Sequence, residues 1–580
     1  MLPWWKGLPE RLDFELAELD KRGIRHEIDE EARAQGKIVL DIWPVVDGND
    51  VPLRIKFPDS YPYFRFEAEA HALSLSHHQN PVGKNLCLLG RSTDNWNPSD
   101  TVASIISSRL KKVIESGSTE DRAAMADLEE HQAEPLSEFC EYQNDAMLLV
   151  DSSWDIPLEM EGGRLEVGLA PGSTTKRSLR GAVHSVQDFK RNVVANSPSK
   201  WKQLFPDVIK GNWLRINGPL PCFDALGLKA YLESELSSKA RFSLQGITGG
   251  KVSITGIVFS EEVRYGEPDE DSWVFLLHGH KGAFFKKNKD GSPSNAFAYL
   301  ARAGRFGVKD YFTRIPELAP LRKKTIAIIG LGCIGSPSAI EFAKAGVGGL
   351  RLLDQDIVTP GNTCRWPLGT PSFGLHKSNV LIGFLNSHFP HTNTAGVGFR
   401  IGNPNLAGQE AGLISELLDG VDLVYDASAE PGVQQFLADL CRERGIPLVV
   451  IESRHGGWGG LVARIRPFAG TGCYLCLKNA QDDGSLPHPP TLGDETFIQP
   501  AGCAEPTFTA AGFDTSEVSL AGVRMAVSTL CEGESGGYPP MDHDVGILHL
   551  RNENGNLISP RWDYFPLKIH TECACQKSQG

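Results

Sequence analysis

At 580 residues, with 41% hydrophobic and 22% charged positions, the chain exceeds what one core holds and divides into roughly three or four domains. A formal net charge of −14 argues against a protein that works by gripping phosphate backbones, so direct nucleic-acid binding is not expected. No apolar run is long enough to span a bilayer, and the opening MLPWWKGLPERLDFELAELDKRG mixes acids into its apolar positions as no secretory signal does. A cytoplasmic protein without a membrane partner is expected, its twelve cysteines present as thiols.

Leu8, Leu12, Leu16 and Leu19 fall at helical spacing and predict an amphipathic opening helix over 8–22. Lys37–Val46 and Val51–Phe57 predict two strands of a hairpin, separated by Asp-Gly-Asn-Asp, a turn sequence that tolerates positive backbone dihedrals. Tyr61-Pro62 breaks the regularity, and an irregular stretch, HHQNPVGKNLCLL, leads to Asn95-Trp96-Asn97-Pro98. Ser99 can cap the next helix, whose apolar face is Val102, Ile105, Ile106, Leu110, Val113 and Ile114.

Helix, antiparallel meander, Tyr-Pro, a cysteine-bearing loop, Trp-x-Pro and helix resemble, in that order, a ubiquitin-conjugating (E2) domain. The resemblance implies an E2-type fold over 1–150 and places its thioester cysteine at Cys87, with Asn80 of His78-Gln79-Asn80 as the amide donor to the oxyanion. Taken alone, a lone loop cysteine is as readily a packed, inert thiol.

Residues 118–150 are acid-rich and helical in pattern, a connector. From 151 to 315, strand-like runs such as KVSITGIVF and SWVFLLHGH alternate with helix-like ones such as FDALGLKAYLESEL, which predicts a middle α/β domain. It carries no glycine-rich loop ahead of a helix, and by analogy with bacterial fusions it is a linker or a degenerate adenylation-like domain.

Thr325–Ile329 predicts a buried strand running into Gly330-Leu-Gly332-Cys-Ile-Gly335 and a helix. Glycines there let a backbone approach phosphate, and the helix N-terminus presents unpaired N–H groups to it. A nicotinamide dehydrogenase would use the same fingerprint, with Asp354 on a ribose hydroxyl. The stretch from Asp354 onward separates the two: Asp354, Asp356, Asn362 and Arg365 in DQDIVTPGNTCRWP, with Lys377 twelve residues on, resemble the ubiquitin-activating (E1) and ThiF/MoeB family. An adenylating enzyme must neutralise a triphosphate and the charge at its α-phosphorus, which calls for Arg and Lys. The resemblance implies a C-terminal Rossmann-like adenylation domain over 316–580 that binds ATP and Mg, with Asp426 beside the metal.

Cys473-x-x-Cys476 and the terminal Cys573-x-Cys575 are two thiol pairs that suit a tetrahedral structural zinc, with His570 an alternative ligand to one cysteine. Unligated thiols are the other reading. Between the pairs a Pro-, Gly- and Asp-rich loop delivers Cys503 just ahead of a small-residue helix, where the family resemblance places the E1 thioester cysteine.

The resemblance as a whole is to bacterial E1/E2 fusions of the CBASS anti-phage operons. It implies ATP-dependent activation of a protein C-terminus, a thioester on Cys503, transthiolation to Cys87 and ligation to a target. It further implies a cGAS-like nucleotidyltransferase as the activated partner and a homodimer in which Arg305 or Arg314 reaches the partner's ATP. A ThiF/MoeB-like adenylation for sulfur transfer and a noncatalytic scaffold are the alternatives.

Overall fold

The computed structural model describes residues 3–90, 95–119, 133–173, 179–235, 252–265, 267–279, 297–468, 470–493 and 508–575. The chain forms two compact units, the first ending at Arg305 and the second built chiefly from Phe306 onward. Among the described residues no helix is long and apolar enough to cross a membrane.

After a single helical turn, Trp4–Gly7, the first unit has helix α1 (Pro9–Lys21), which Pro9 can begin because its missing N–H would be unpaired there anyway. An antiparallel meander comes next: β1 (Arg25–Ile28), β2 (Val39–Trp43), β3 (Leu53–Lys56) and β4 (Glu67–Glu69), paired in that order. Helix α2 (Val102–Gly117) is started by Thr101, not Ser99. The Thr101 hydroxyl accepts from Ser104 N at 3.1 Å and the Ser104 hydroxyl accepts from Thr101 N at 3.0 Å, a reciprocal cap that leaves Ser99 outside the helix. Leu12, Leu19, Leu40, Ile42, Ile55, Ile106 and Leu110 fill the core between helices and sheet. Glu15, fully buried, accepts from Val102 N at 2.8 Å and pairs with Arg11 at 2.6 Å. Burial raises its pKa, and its bonds to Tyr61, Val102 and Arg11 oppose that rise.

The middle segment gathers its strands into one large sheet, and the runs read from its sequence as two strands and a helix take those forms. Strands β5 (Tyr142–Val150), β6 (Gly162–Leu169), β7 (Leu179–Asp188), β8 (Val193–Asn196), β9 (Asp207–Arg215), β10 (Val252–Glu261), β11 (Glu270–Gly279) and β12 (Phe297–Arg305) form one sheet in the order β8-β7-β5-β12-β11-β10-β9-β6, and β6 pairs back onto β7 to close it. Leu148, Val167, Val183, Trp213, Ile254 and Phe275 belong to one core cluster, while alternate residues Leu214, Ile257, Val274 and Leu276 join helix α3 (Ala225–Glu235) in another. Strands buried on both faces lose the polar alternation that marks a half-exposed strand, so their pattern is ambiguous in sequence. The stretch expected as a helical connector supplies β5, a strand of this sheet.

The second unit is doubly wound. Strands β13 (Thr325–Ile329), β14 (Gly349–Leu353), β15 (Asn393–Val397), β16 (Leu423–Asp426) and β17 (Leu448–Ser453) are parallel in the order β15-β14-β13-β16-β17. Antiparallel β18 (Gly459–Ile465), β19 (Val545–Arg551) and β20 (Leu557–Phe565) extend the β17 side. Ile326 and Ile328 bury into one face of the sheet, Ala327 and Ile329 into the other, which explains a strand that reads as continuously apolar. The order reverses at β13, so a crevice opens at its carboxyl end.

Candidate nucleotide and thiol sites

That crevice begins at the glycine-rich turn between β13 and helix α4 (Gly335–Lys344). Gly330 takes φ +84°, and a Cβ on it would lie 2.8 Å from the Ala427 carbonyl oxygen. A Cβ on Gly335 would lie 1.8 Å from the Gly330 carbonyl. Both glycines are therefore demanded by packing. At Gly332 a Cβ would meet nothing within 4 Å, because that residue faces a cavity of about 340 Å³. Its walls include Gly332, Asp356, Asn362, Arg365, Lys377 and Phe508.

Asp354 and Asp356 divide the work at the end of β14. Asp354 is buried and accepts from Leu331 N at 2.6 Å and from Asp356 N at 2.7 Å, so its carboxylate holds the glycine turn from behind. Burial raises its pKa, and Lys377 and these two N–H groups oppose the rise. Asp356 lines the cavity and pairs with Lys377 at 2.8 Å. Asn362 spends its side-chain oxygen on Thr359 N at 3.0 Å, closing the short turn Pro360–Cys364 that presents Arg365. The Arg365 guanidinium lies over the Phe508 ring, 5.3 Å from its centre.

Asp426 ends β16 fully buried. Ser428 N donates to its Oδ1 at 2.9 Å, whereas Oδ2 has no hydrogen-bond partner among the described residues. Burial pushes its pKa up to about 6. A carboxylate with one orphaned buried oxygen beside a cavity wall formed by Ala427 and Ser428 is a donor that a hard cation would satisfy.

In the first unit, Asn80 and Cys87 stand on opposite arms of one tight hairpin. Cys87 N donates to the His78 carbonyl at 2.8 Å, Gln79 bridges Leu86, and Asn80 N donates to the Asn85 carbonyl at 2.8 Å. The Asn80 side-chain oxygen accepts from Val82 N and Gly83 N, both at 2.8 Å, and so shapes the tip of the hairpin. Cys87 is half-buried between buried Leu86 and Leu88. His78 behind it has Nδ1 3.5 Å from Glu134. Burial works to raise the pKa of Glu134, but hydrogen bonds from His78 hold it below its ordinary value.

Cys473, Cys476, Cys573 and Cys575 converge, with their sulfurs all within 4.8 Å of one another and the closest pairs at 3.4, 3.5 and 3.7 Å. Ligands 2.3 Å from a tetrahedral zinc are separated by ~3.8 Å, close to these spacings. Burial resists ionisation of Cys476, yet N–H groups of His570 and Cys473 and the thiols of Cys575 and Cys573 bring it down to about 7. His570 is not a member of the cluster: its Nε2 lies 2.9 Å from Asp483. The one-residue spacing of the second pair still brings each of its sulfurs against one of the first pair, Cys573 at 3.5 Å from Cys473 and Cys575 at 3.4 Å from Cys476.

The ThiF family matches residues 308–530 and Prokaryotic E2 family B matches residues 18–148. The y4oA protein of Sinorhizobium fredii (strain NBRC 101917 / NGR234) is 31% identical over 604 residues, which cover 100% of this chain and 98% of that protein. The chain belongs to the ThiF family and carries a prokaryotic E2 domain. The SAMP-activating enzyme E1 of Haloferax volcanii is 29% identical to this ThiF–E2 protein over 181 residues, 30% of the chain and 60% of that enzyme. The crystal structure of E. coli MccB with succinimide covers 46% of the chain and 71% of its own, at 13% identity and a TM-score of 0.34. The ThiF–E2 protein is thus a combined E1/E2-like enzyme.

Of the residues singled out in its sequence, Gly332, Asp356, Asn362, Arg365 and Lys377 share the cavity wall, and Gly330, Gly335, Asp354 and Asp426 lie behind it. Cys503 falls outside the described residues. Arg305 closes β12 and pairs with Glu270 of β11, whereas Arg314 belongs to the second unit. Trp366, Ser453 and Phe508 also line the cavity. Trp366 sits beside Arg365 in the motif already read, whereas Ser453 and Phe508 come from distant stretches that only the fold brings to the cavity.

Proposed function

We propose that the ThiF–E2 protein adenylates the C-terminal carboxylate of a partner protein with ATP and relays the acyl group from Cys503 to Cys87. The reading is carried by one observation: Asp356, Asn362, Arg365, Lys377 and the Gly332 backbone share one wall at the topological switch point. A carboxylate oxygen attacks the α-phosphorus and pyrophosphate leaves. Arg365 and Lys377 offset the charge that accumulates there. Asp426 is the candidate to hold Mg, which when bound neutralises phosphate charge. The Cys503 thiolate then attacks the acyl carbon with loss of AMP. Phe508, five residues after Cys503 in the sequence, lines the cavity. Attack by Cys87 transfers the acyl group and regenerates the Cys503 thiolate; Asn80 then donates to the oxyanion formed when the target nucleophile attacks. The four clustered cysteines hold a structural zinc.

The E1/E2 fusion supports, by resemblance, a cytoplasmic homodimer whose activated partner is a cGAS-like nucleotidyltransferase of anti-phage defence. Its domains are an E2-like domain with connector over 1–150, a linker domain over 151–315 and an adenylation domain over 316–580. The test is to incubate the full chain with ATP, Mg and such a partner and to resolve thiol-sensitive adducts on nonreducing gels and by mass spectrometry. Cys503→Ala abolishes both adducts, and Cys87→Ala leaves the one on Cys503. Loading of Cys87 in the Cys503→Ala protein would overturn the order of the relay.

A further inference from the structure

The amino ends of β13, β14 and β15, opposite the nucleotide cavity, border a second cavity of about 610 Å³. A five-residue strand spans ~16 Å, so the two lie a strand's length apart. Its walls include Arg322, Lys323, Lys324, Thr325, Arg351 and Asn393, with no carboxylate and no aromatic ring among its lining residues. In a chain of net charge −14, four cations around one hollow are a local inversion of sign.

The floor is backbone. A Cβ on Gly348 would lie 2.1 Å from the Arg322 carbonyl oxygen and one on Gly349 2.8 Å from the Thr325 hydroxyl, so the paired glycines let β14 start hard against the basic segment. Two acids meet the rim of the hollow: Glu534 pairs with Lys324 at 2.9 Å and Asp422 accepts from Thr325 N at 2.7 Å, which leaves Arg322, Lys323 and Arg351 as the cations without a carboxylate in an ion pair among the described residues. The Arg351 side chain has no hydrogen-bond or ion-pair partner among the described residues. Arg322 donates to the His391 carbonyl at 2.7 Å, and Lys200 donates to the neighbouring Thr392 carbonyl. Burial, then the nearby Arg322 charge, lowers the pKa of both Lys200 and His391. Lys324 is neutralised by Glu534, while Arg322, Lys323 and Arg351 leave positive charge in excess around the hollow, the condition a bound anion relieves.

We infer that this hollow is a binding site for a multivalent phosphate, a free polyphosphate or the phosphate tail of a nucleotide, held by Arg351, Arg322 and Lys323. Arginine forks match phosphate oxygens in pairs, and the lack of an aromatic platform leaves a base unread. The site is independent of the adenylation reading, since none of its residues touches the nucleotide cavity.

The test is calorimetric titration of tripolyphosphate into the full chain already saturated with Mg and AMP, which occupies the nucleotide cavity without bringing a polyphosphate tail to the hollow. One further equivalent is expected to bind, and Arg351→Gln and Lys323→Gln are each expected to weaken it ~10-fold with melting temperature and ATP–pyrophosphate exchange unchanged. A parallel titration with GTP distinguishes the sources: binding as tight as that of tripolyphosphate assigns the site to nucleotide tails, and weaker binding assigns it to free polyphosphate. Absence of a further equivalent, or equal affinity in both variants, overturns the inference.

Discussion

Lys377 and Asp356 meet twice: the Lys377 ammonium lies 2.8 Å from Asp356 Oδ2, and the Lys377 backbone N–H donates to the Asp356 carbonyl at 2.9 Å. The backbone bond fixes the start of helix α5 (Lys377–His388) against the end of β14, and the side-chain bond aims a cation at the cavity. Lys377 is only 9% exposed while Asp356 is 56% exposed. The lysine is the held partner and the aspartate the one that a ligand can reach.

Removal of that cation by Lys377→Met is expected to lower ATP–pyrophosphate exchange by ~10²–10³-fold, the usual cost of losing one preorganised electrostatic group. Because the backbone bond survives, the melting temperature should stay close to wild type. Exchange within threefold of wild type would show that Lys377 does not act on the phosphates.

Asp426 makes a prediction about pH. Its folded pKa is raised from 3.8 to about 6, so its protonated form favours the native state, and that contribution is present below pH 4 and lost as pH rises through 6. Wild-type protein without Mg should therefore lose stability relative to Asp426→Asn between pH 4 and 7, by ~3 kcal/mol at 1.4 kcal/mol per pKa unit. Thermal melts of the two proteins across that range, in EDTA and in Mg, measure it. Parallel curves in EDTA would remove the carboxylate as the cause, and Mg should restore stability to the wild type alone.

The wall of the cavity at the carboxyl end of β13 was largely legible because its parts are local. A strand, three glycines and an acid at the next strand end occur within one βαβ unit, and packing demands Gly330 and Gly335 while Gly332 faces the open cavity. What sequence could not separate was the division between Asp354 and Asp356, two residues apart, one aimed at the turn and one at the cavity. The middle sheet was legible in its pieces, since the runs read as strands are β10 and β11 and the run read as a helix is α3, but its closure was not. β7 pairs with β8 next to it in sequence, but β5 pairs with β12 across about 150 residues, and no local period reports such a closure.

The four-cysteine cluster is expected to hold one zinc per chain, measured by elemental analysis of protein purified without added metal. Cys476→Ser, at the buried centre of the set, should lose the metal and lower the melting temperature, and a chelator should reproduce that loss in wild type. Since Leu567 and Cys573 pack in the same core as Ile329 and Val424, release of the terminal segment should also expose it to protease. A metal content near zero with an unchanged melting temperature on chelation would leave the cluster as packed thiols.

Asn80 allows its two ends to be tested apart. Its side-chain oxygen accepts from Val82 N and Gly83 N, a purely structural task that a carboxylate performs equally well, whereas only the amide NH₂ can donate to an oxyanion. Asn80→Asp is therefore expected to keep the hairpin and the loading of Cys87 while slowing discharge of the thioester to an amine by ~10²-fold. Asn80→Ala loses both tasks and should impair loading as well, because the tip that sets the Cys87 arm is no longer closed. Single-turnover discharge from preloaded protein separates the two variants: if Asn80→Asp discharges at the wild-type rate, Asn80 shapes the hairpin and takes no part in the transfer.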